Sequence, residues 1–185
     1  MIFTKTLIAA ILALVASALP QPSPSSTTSS APSSSSSASN DGSGSVNIIN
    51  NLNETIYLTH TASTSGSSSM KTLTLGGGSY TENWQTTFDG SGISIKMSTT
   101  KDESSVLQFE YTDDGETLFW DLSCIDLDSN SAFVKAGFSA TTDDSSCSAV
   151  TCAAGDTDCA EAYQKSSDEN TNSCSSGAVF TVTLG

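Results

Sequence analysis

The sequence predicts an all-β protein, one antiparallel β-sandwich domain over residues 45–185, on three observations. Short runs of alternating apolar and polar residues recur from Ser45 to Leu184. Gly- and Asp-rich turns separate them, at Gly76-Gly77-Gly78, Asp89-Gly90-Ser91-Gly92 and Asp113-Asp114-Gly115. Only one short stretch, Thr157 to Gln164, has a helical signature, with acids in its first turn. Frequent strands with such turns are the pattern of a sandwich.

In chain order, residues 1–18 read as a secretory signal peptide. Lys5 supplies the positive end, Leu7 to Val15 an apolar run, and Ala16-Ser17-Ala18 a small-residue cleavage site. The run is too short for a membrane span, which needs roughly 20 apolar residues, and no later segment is apolar enough to span. Residues 19–44 form a Ser/Thr/Pro-rich segment with almost nothing to bury. Disorder and a glycosylated stalk are expected there.

The first strand alternates Val46, Ile48 and Asn50 with Asn47 and Ile49. Thr55 to Thr59 follows an Asn-rich corner that holds the N-glycosylation sequon Asn53-Glu54-Thr55. Met70 to Leu75, Ser79 to Trp84 and Ile93 to Lys96 give three more strands. Val106 to Thr112 puts Leu107, Phe109 and Tyr111 on one face and Gln108 and Glu110 on the other. Phe119 to Asp126 is an apolar strand carrying two carboxylates and a cysteine. Ala132 to Val134, Phe138 and Ala178 to Leu184 complete the series.

Composition excludes several function classes. Six Lys and no Arg stand against 20 acids, a net charge of −14. Such a chain repels phosphate backbones and anionic membranes, so no nucleic-acid binding is expected. His60 is the only His, which removes zinc centres and Ser-His triads. Asp126-Leu127-Asp128-Ser129-Asn130 opens like a calcium loop, but Ser131 and Gly137 stand where Gly and Glu are needed. No metal or cofactor is expected. Export favours disulfides among Cys124, Cys147, Cys152, Cys159 and Cys174, and the odd count leaves one thiol over. Spacing alone leaves the pairing open.

Several segments resemble thaumatin-like proteins. Val46-Asn47-Ile48-Ile49-Asn50-Asn51 and Thr55-Ile56-Tyr57-Leu58 are similar to the family's opening. Trp120-Asp121-Leu122-Ser123-Cys124-Ile125-Asp126 is similar to its central strand, and Cys147 with Cys152-Ala153-Ala154-Gly155-Asp156 to Cys159 resembles its Cys-rich run. Tyr80-Thr81-Glu82, Gly92-Ile93-Ser94-Ile95-Lys96 and Cys-Ala-Ala-Gly-Asp bring the chain nearest the small fungal thaumatin-like antigens of the yeast-phase-specific type. The resemblance spans about residues 46–185 and implies the pairs Cys147–Cys174 and Cys152–Cys159, with Cys124 a free, buried thiol.

The resemblance also implies an acidic cleft. Asp121 and Asp126 match two of its acids, Glu110 a third, and Lys96 stands where the family has Arg; Asp168 is the nearest candidate for a further Asp. In a regular strand, Asp121 and Asp126 point to opposite faces, so they share a cleft only if the strand bends or ends near Ile125. Trp84, in a polar run, and Tyr80 are expected as exposed sugar-stacking residues, with Lys96 beside them. The expected function is non-catalytic association with cell-wall polysaccharide (β-glucan), or surface-antigen behaviour, of a secreted fungal protein. The alternatives are a weak endo-β-1,3-glucanase using Glu110, Asp121 and Asp126, and a secreted effector or inhibitor of a foreign protein. The limited length between Cys159 and Cys174 implies a reduced wall to the cleft.

Overall fold

A computed structural model describes residues 44–62, 69–87 and 89–185. The expected signal peptide and all of the Ser-rich segment before Gly44 lie outside the described residues. The chain from Gly44 forms two sheets. One has the order β4-β1-β11-β8-β9, made of β4 (Gly78–Asn83), β1 (Ser45–Asn50), β11 (Val179–Leu184), β8 (Phe138–Thr142) and β9 (Val150–Cys152). The other has the order β10-β7-β6-β5-β2-β3, from β10 (Asn172–Ser175), β7 (Thr117–Ser123), β6 (Leu107–Asp113), β5 (Ile93–Ser98), β2 (Ile56–Ala62) and β3 (Lys71–Leu73). Every pairing is antiparallel except β1 with β11, which run parallel from Ser45 opposite Val179 to Asn50 opposite Leu184. The first and last strands of the domain therefore lie side by side at the middle of one sheet.

Alternation builds the core. Val46 and Ile48 of β1, Phe180, Val182 and Leu184 of β11, and Phe109, Leu118, Trp120 and Leu122 of the opposite sheet are fully or nearly fully buried. Aromatic rings join the sheets: Trp120 meets Phe180 at 4.7 Å between centroids, and Phe109 meets Phe180 at 6.0 Å. Asn50 takes an apolar-phase position in β1 and is fully buried. Its amide donates to Glu54 O and Thr74 O, and its Oδ1 accepts from Leu52 N, so its polar atoms are all occupied in fixing the β1–β2 corner.

The helix lies elsewhere than the sequence suggests. Ala132–Ala136, expected in part as a strand, is the short helix α1. Ser131 caps it by accepting from Val134 N, and Gly137 ends it at φ 84° while donating to Phe133 O. Thr157 to Gln164 is not helical. The Cys152–Cys159 disulfide holds one end of it, and β7 takes its backbone at the other. Cys124 N donates to Tyr163 O, and Tyr163 N to Leu122 O, which fixes Tyr163 in an extended bridge. Backbone groups used across chains of residues in this way are lost to a helical ladder. The second disulfide joins Cys147 to Cys174 of β10. Two further short strands, β9 and β10, have no counterpart in the sequence pattern; each contains a disulfide-bonded cysteine, Cys152 and Cys174.

Between the sheets lies a polar tie. Glu82 of β4 is 8 % exposed and faces inward. Tyr80 Oη donates to its Oε2 at 2.6 Å, Tyr111 Oη to its Oε1 at 3.1 Å, and His60 Nε2 lies 3.2 Å from Oε2. Residues from β4, β2 and β6 thus converge on one carboxyl group. Burial first pushes the phenols of Tyr80 and Tyr111 well above the usual tyrosine range; the Glu82 hydrogen bond comes next for Tyr80 and the Glu82 charge for Tyr111.

Candidate functional site

The outward face of the six-stranded sheet carries the candidate site. Side chains that alternate with the core positions emerge there: Ser94 and Lys96 from β5, Gln108, Glu110 and Thr112 from β6, Phe119 and Asp121 from β7. Glu110 and Asp121 are direct cross-strand partners. They line a groove of about 460 Å³ together with Thr61, Ser94, Thr112, Phe119 and Thr171. Phe119 is 43 % exposed, an aromatic ring at the surface beside two carboxyl groups.

β7 ends at Ser123, and a turn closed by Leu127 N on Cys124 O follows. This is the condition under which Asp126 can approach the same face as Asp121. Asp126 lines an adjoining groove of about 390 Å³ with Lys96, Glu103, Ile125 and Asp128. Glu110 lines the first groove and lies within electrostatic reach of both Lys96 and Asp126. The structure therefore groups Glu110 with Asp121 directly, and brings Asp126 and Lys96 within electrostatic reach of Glu110. Gln108 is nearly buried and accepts from Ser94 Oγ at 3.1 Å, so it serves the sheet rather than the groove.

Burial dominates the electrostatics. It raises the Asp121 carboxyl from 3.8 to about 7, with the neighbouring Glu110 adding to the shift. Glu110 is also raised by burial; the Ser94 hydroxyl and the Lys96 charge oppose this, and Asp126 reinforces it. Asp121 Oδ1 is buried without a hydrogen-bond partner, as is the nearby Ser123 Oγ. A carboxyl group in that setting favours its neutral form.

A pH dependence follows. The folded-state value of Asp121 lies above its unfolded value, so the folded protein holds the extra proton, and stability falls as pH rises from about 3.8 through 7. Full linkage over that interval would come to about 4 kcal/mol; solvent screening of a partly exposed carboxyl reduces it to about 2. Asp121→Asn should therefore stabilise the protein by about 2 kcal/mol at pH 8 and change it little at pH 4. Urea denaturation of both proteins at the two pH values checks this. An equal effect at both would remove Asp121 as the titrating group.

Three expected site residues are placed differently. Trp84 is 7 % exposed: its ring contacts Tyr111, Phe109 and Phe180, and its Nε1 donates to Ala178 O. It is a core residue and offers no face to a sugar. Tyr80 turns inward to Glu82 and His60, on the opposite sheet from Lys96. Trp84, Tyr80 and Lys96 therefore form no common surface. Asp168 accepts from Gln164 N and Lys165 N, holds its own loop together and lines a different groove from Glu110 and Asp121. Phe119 is not among the expected site residues because it sits in an apolar strand; strand alternation against Trp120 is the signal that places it outward. Cys124 is buried, and burial lifts its thiol to about 11, with Asp156 adding to the rise and Gln164 opposing it. That thiol is a poor nucleophile.

Comparison with known proteins agrees with this architecture. The chain is 51 % identical over 140 residues to "Secreted thaumatin-like protein calA" of Emericella nidulans, covering 76 % of this chain and 80 % of that one. It is 36 % identical over 142 residues to "Antigenic thaumatin-like protein" of Arthroderma benhamiae, covering 76 % and 70 %. Among solved structures, the protein elicitor MoHrip2 from Magnaporthe oryzae has the same fold, with a TM-score of 0.63 at 20 % identity over 76 % of this chain and 98 % of that one. The family described as "Blastomyces yeast-phase-specific protein" (Bys1) matches residues 33–185. The chain belongs to that family, and it is a secreted thaumatin-like protein of the fungal antigen type.

Proposed function

We propose that this protein binds a neutral cell-wall polysaccharide of the β-glucan class without cleaving it, using the groove between β2, β5, β6 and β7. The observation that carries the reading is the lining of that groove. Exposed Phe119 supplies a stacking face, Glu110 and Asp121 supply hydrogen-bonding carboxyl groups, and Thr61, Thr112 and Thr171 supply hydroxyls. Neutral sugar rings present apolar faces and hydroxyl edges, and a mixed apolar and polar lining suits both. An overall charge of −14 favours a neutral polymer over an anionic one.

Phe119→Ala should weaken retention on insoluble β-1,3-glucan by about 3- to 10-fold, since a stacking contact is worth about 0.5–1.5 kcal/mol. Co-sedimentation of the wild-type and variant proteins, with reducing-sugar release followed in the same tubes, is the measurement. Unchanged retention would sink the groove as the binding surface. Retention by neither β-glucan nor chitin would favour a protein partner instead.

One observation supports a hydrolytic alternative. Glu110 and Asp121 are directly opposed, and retaining glycoside hydrolysis requires two carboxyl groups about 5–5.5 Å apart with one of them protonated. Asp121, held near 7, would be the acid and Glu110 its partner. This uses two of the three acids, Glu110, Asp121 and Asp126, that the resemblance implies. Sugar release that disappears in Glu110→Gln would establish this alternative.

A further inference from the structure

We propose that Asn53 carries an N-linked glycan whose first N-acetylglucosamine seats in the groove between α1 and the β1–β2 corner. Three asparagines follow one another closely at this corner, and the structure uses two of them. Asn50 donates to Glu54 O and Thr74 O, and Asn51 donates to Gly185 O at 3.2 Å. Asn53 is exposed, and among the described residues its amide has no hydrogen-bond partner. It is also the asparagine of the Asn53-Glu54-Thr55 sequon, in a secreted chain.

The place for the first sugar is adjacent. Asn53 itself lines a groove of about 320 Å³ with Leu52, Ala132, Lys135, Ala136 and Gly185. That volume is at the small end of ligand pockets, about 300–1,000 Å³. Its walls are mainly apolar, from Leu52 and the two alanines of α1, and Lys135 and Glu54 supply charged groups to the lining. An N-acetylglucosamine ring has an apolar face and methyl group for the walls and hydroxyls for the lysine. The corner beneath is fixed by Asn50, so the acceptor and the groove keep one relation to each other.

The linkage forms during export. The Asn53 amide nitrogen attacks the anomeric carbon of a polyprenyl-diphosphate-linked oligosaccharide and loses one proton. The new bond joins nitrogen to C1, the C1–oxygen bond to phosphate breaks, and the polyprenyl diphosphate leaves with the electron pair.

The test uses the full chain secreted from a eukaryotic host. Peptide mass mapping should show the Asn53 peptide only after peptide-N-glycosidase treatment in heavy-oxygen water, as labelled aspartate. Thr55→Ala should abolish the modification and Thr55→Ser should retain it. An unmodified Asn53 peptide in the secreted wild-type protein would overturn the proposal. Seating is read separately by melting temperature. Endoglycosidase H, which leaves the first sugar in place, should leave the melting temperature unchanged. Peptide-N-glycosidase treatment and Asn53→Gln should each lower it by about 2–4 °C. Equal melting of all four forms would overturn the seat in the groove.

Discussion

Trp84→Ala should destabilise the protein by about 3–5 kcal/mol, the range for deleting a large buried aromatic side chain. Trp84 follows β4 and turns into the core, where its ring centroid lies 4.9 Å from Tyr111, 5.9 Å from Phe180 and 6.2 Å from Phe109. It connects the two sheets through Phe109 and Tyr111 on one side and Phe180 on the other. Its indole N–H donates to Ala178 O at 3.1 Å, which ties the loop after β4 to the entry of β11. Trp84 N also donates to Gly44 O, just before β1. A Cβ on Gly44 would fall 2.4 Å from Trp84 Nε1, so the backbone approaches the indole as closely as a glycine permits. Alanine at Trp84 would leave a cavity that this crowded seam can close only by moving β1 or β11. Urea denaturation followed by far-UV circular dichroism measures the loss. A change below about 1 kcal/mol, typical of a surface position, would contradict the core assignment.

The second large effect is expected at Glu82. Glu82→Ala should cost about 3–5 kcal/mol, as removal of one partner from a buried polar cluster does. The variant would leave Tyr80 Oη, Tyr111 Oη and His60 without the group on which they converge. Glu82→Gln retains an acceptor for the phenols and nearly the same volume, so it should recover most of the loss. The comparison separates hydrogen bonding from cavity formation: if Gln and Ala were equally damaging, the carboxylate charge, rather than the bonds it accepts, would be what holds the sheets together. Both variants are read from the same urea titrations. The cluster includes His60, the chain's only histidine, which sequence alone left as a polar strand-end residue.

Much of the architecture was legible because strand alternation is a local property. Val46-Asn47-Ile48 or Leu107-Gln108-Phe109 carries the inside–outside pattern in its own residues, and turn glycines mark its ends. The short helix was misplaced for a different reason. Acids at the start of Thr157 to Gln164 suggested a helix, but β7 and the Cys152–Cys159 bond claim the backbone and ends of that segment. Conversely, Ala132–Ala136 was read partly as a strand, and the Ser131 and Gly137 caps decide for a helix.

The candidate site was half legible. Glu110, Asp121 and Asp126 were identified from residues that resemble a known acidic cleft, and Lys96 from the absence of arginine. Their grouping required the register, because Gln108 and Glu110 share a face of β6 and only the pairing puts Glu110 opposite Asp121. Trp84 shows the reverse case. Polar neighbours made it look exposed, yet a single large side chain at a strand end is free to turn inward when the opposite sheet offers Phe109, Tyr111 and Phe180.

The sequence by itself determined the β class, most of the strand positions, the acidic character and the export of this protein, because each is written in local pattern or composition. Only the tertiary structure decided that β1 and β11 pair in parallel, that Glu82 ties the sheets, and that Phe119 rather than Trp84 stands at the groove. Those facts depend on contacts between residues distant in the chain. Such contacts follow from which surfaces meet, and local periodicity carries no record of that choice.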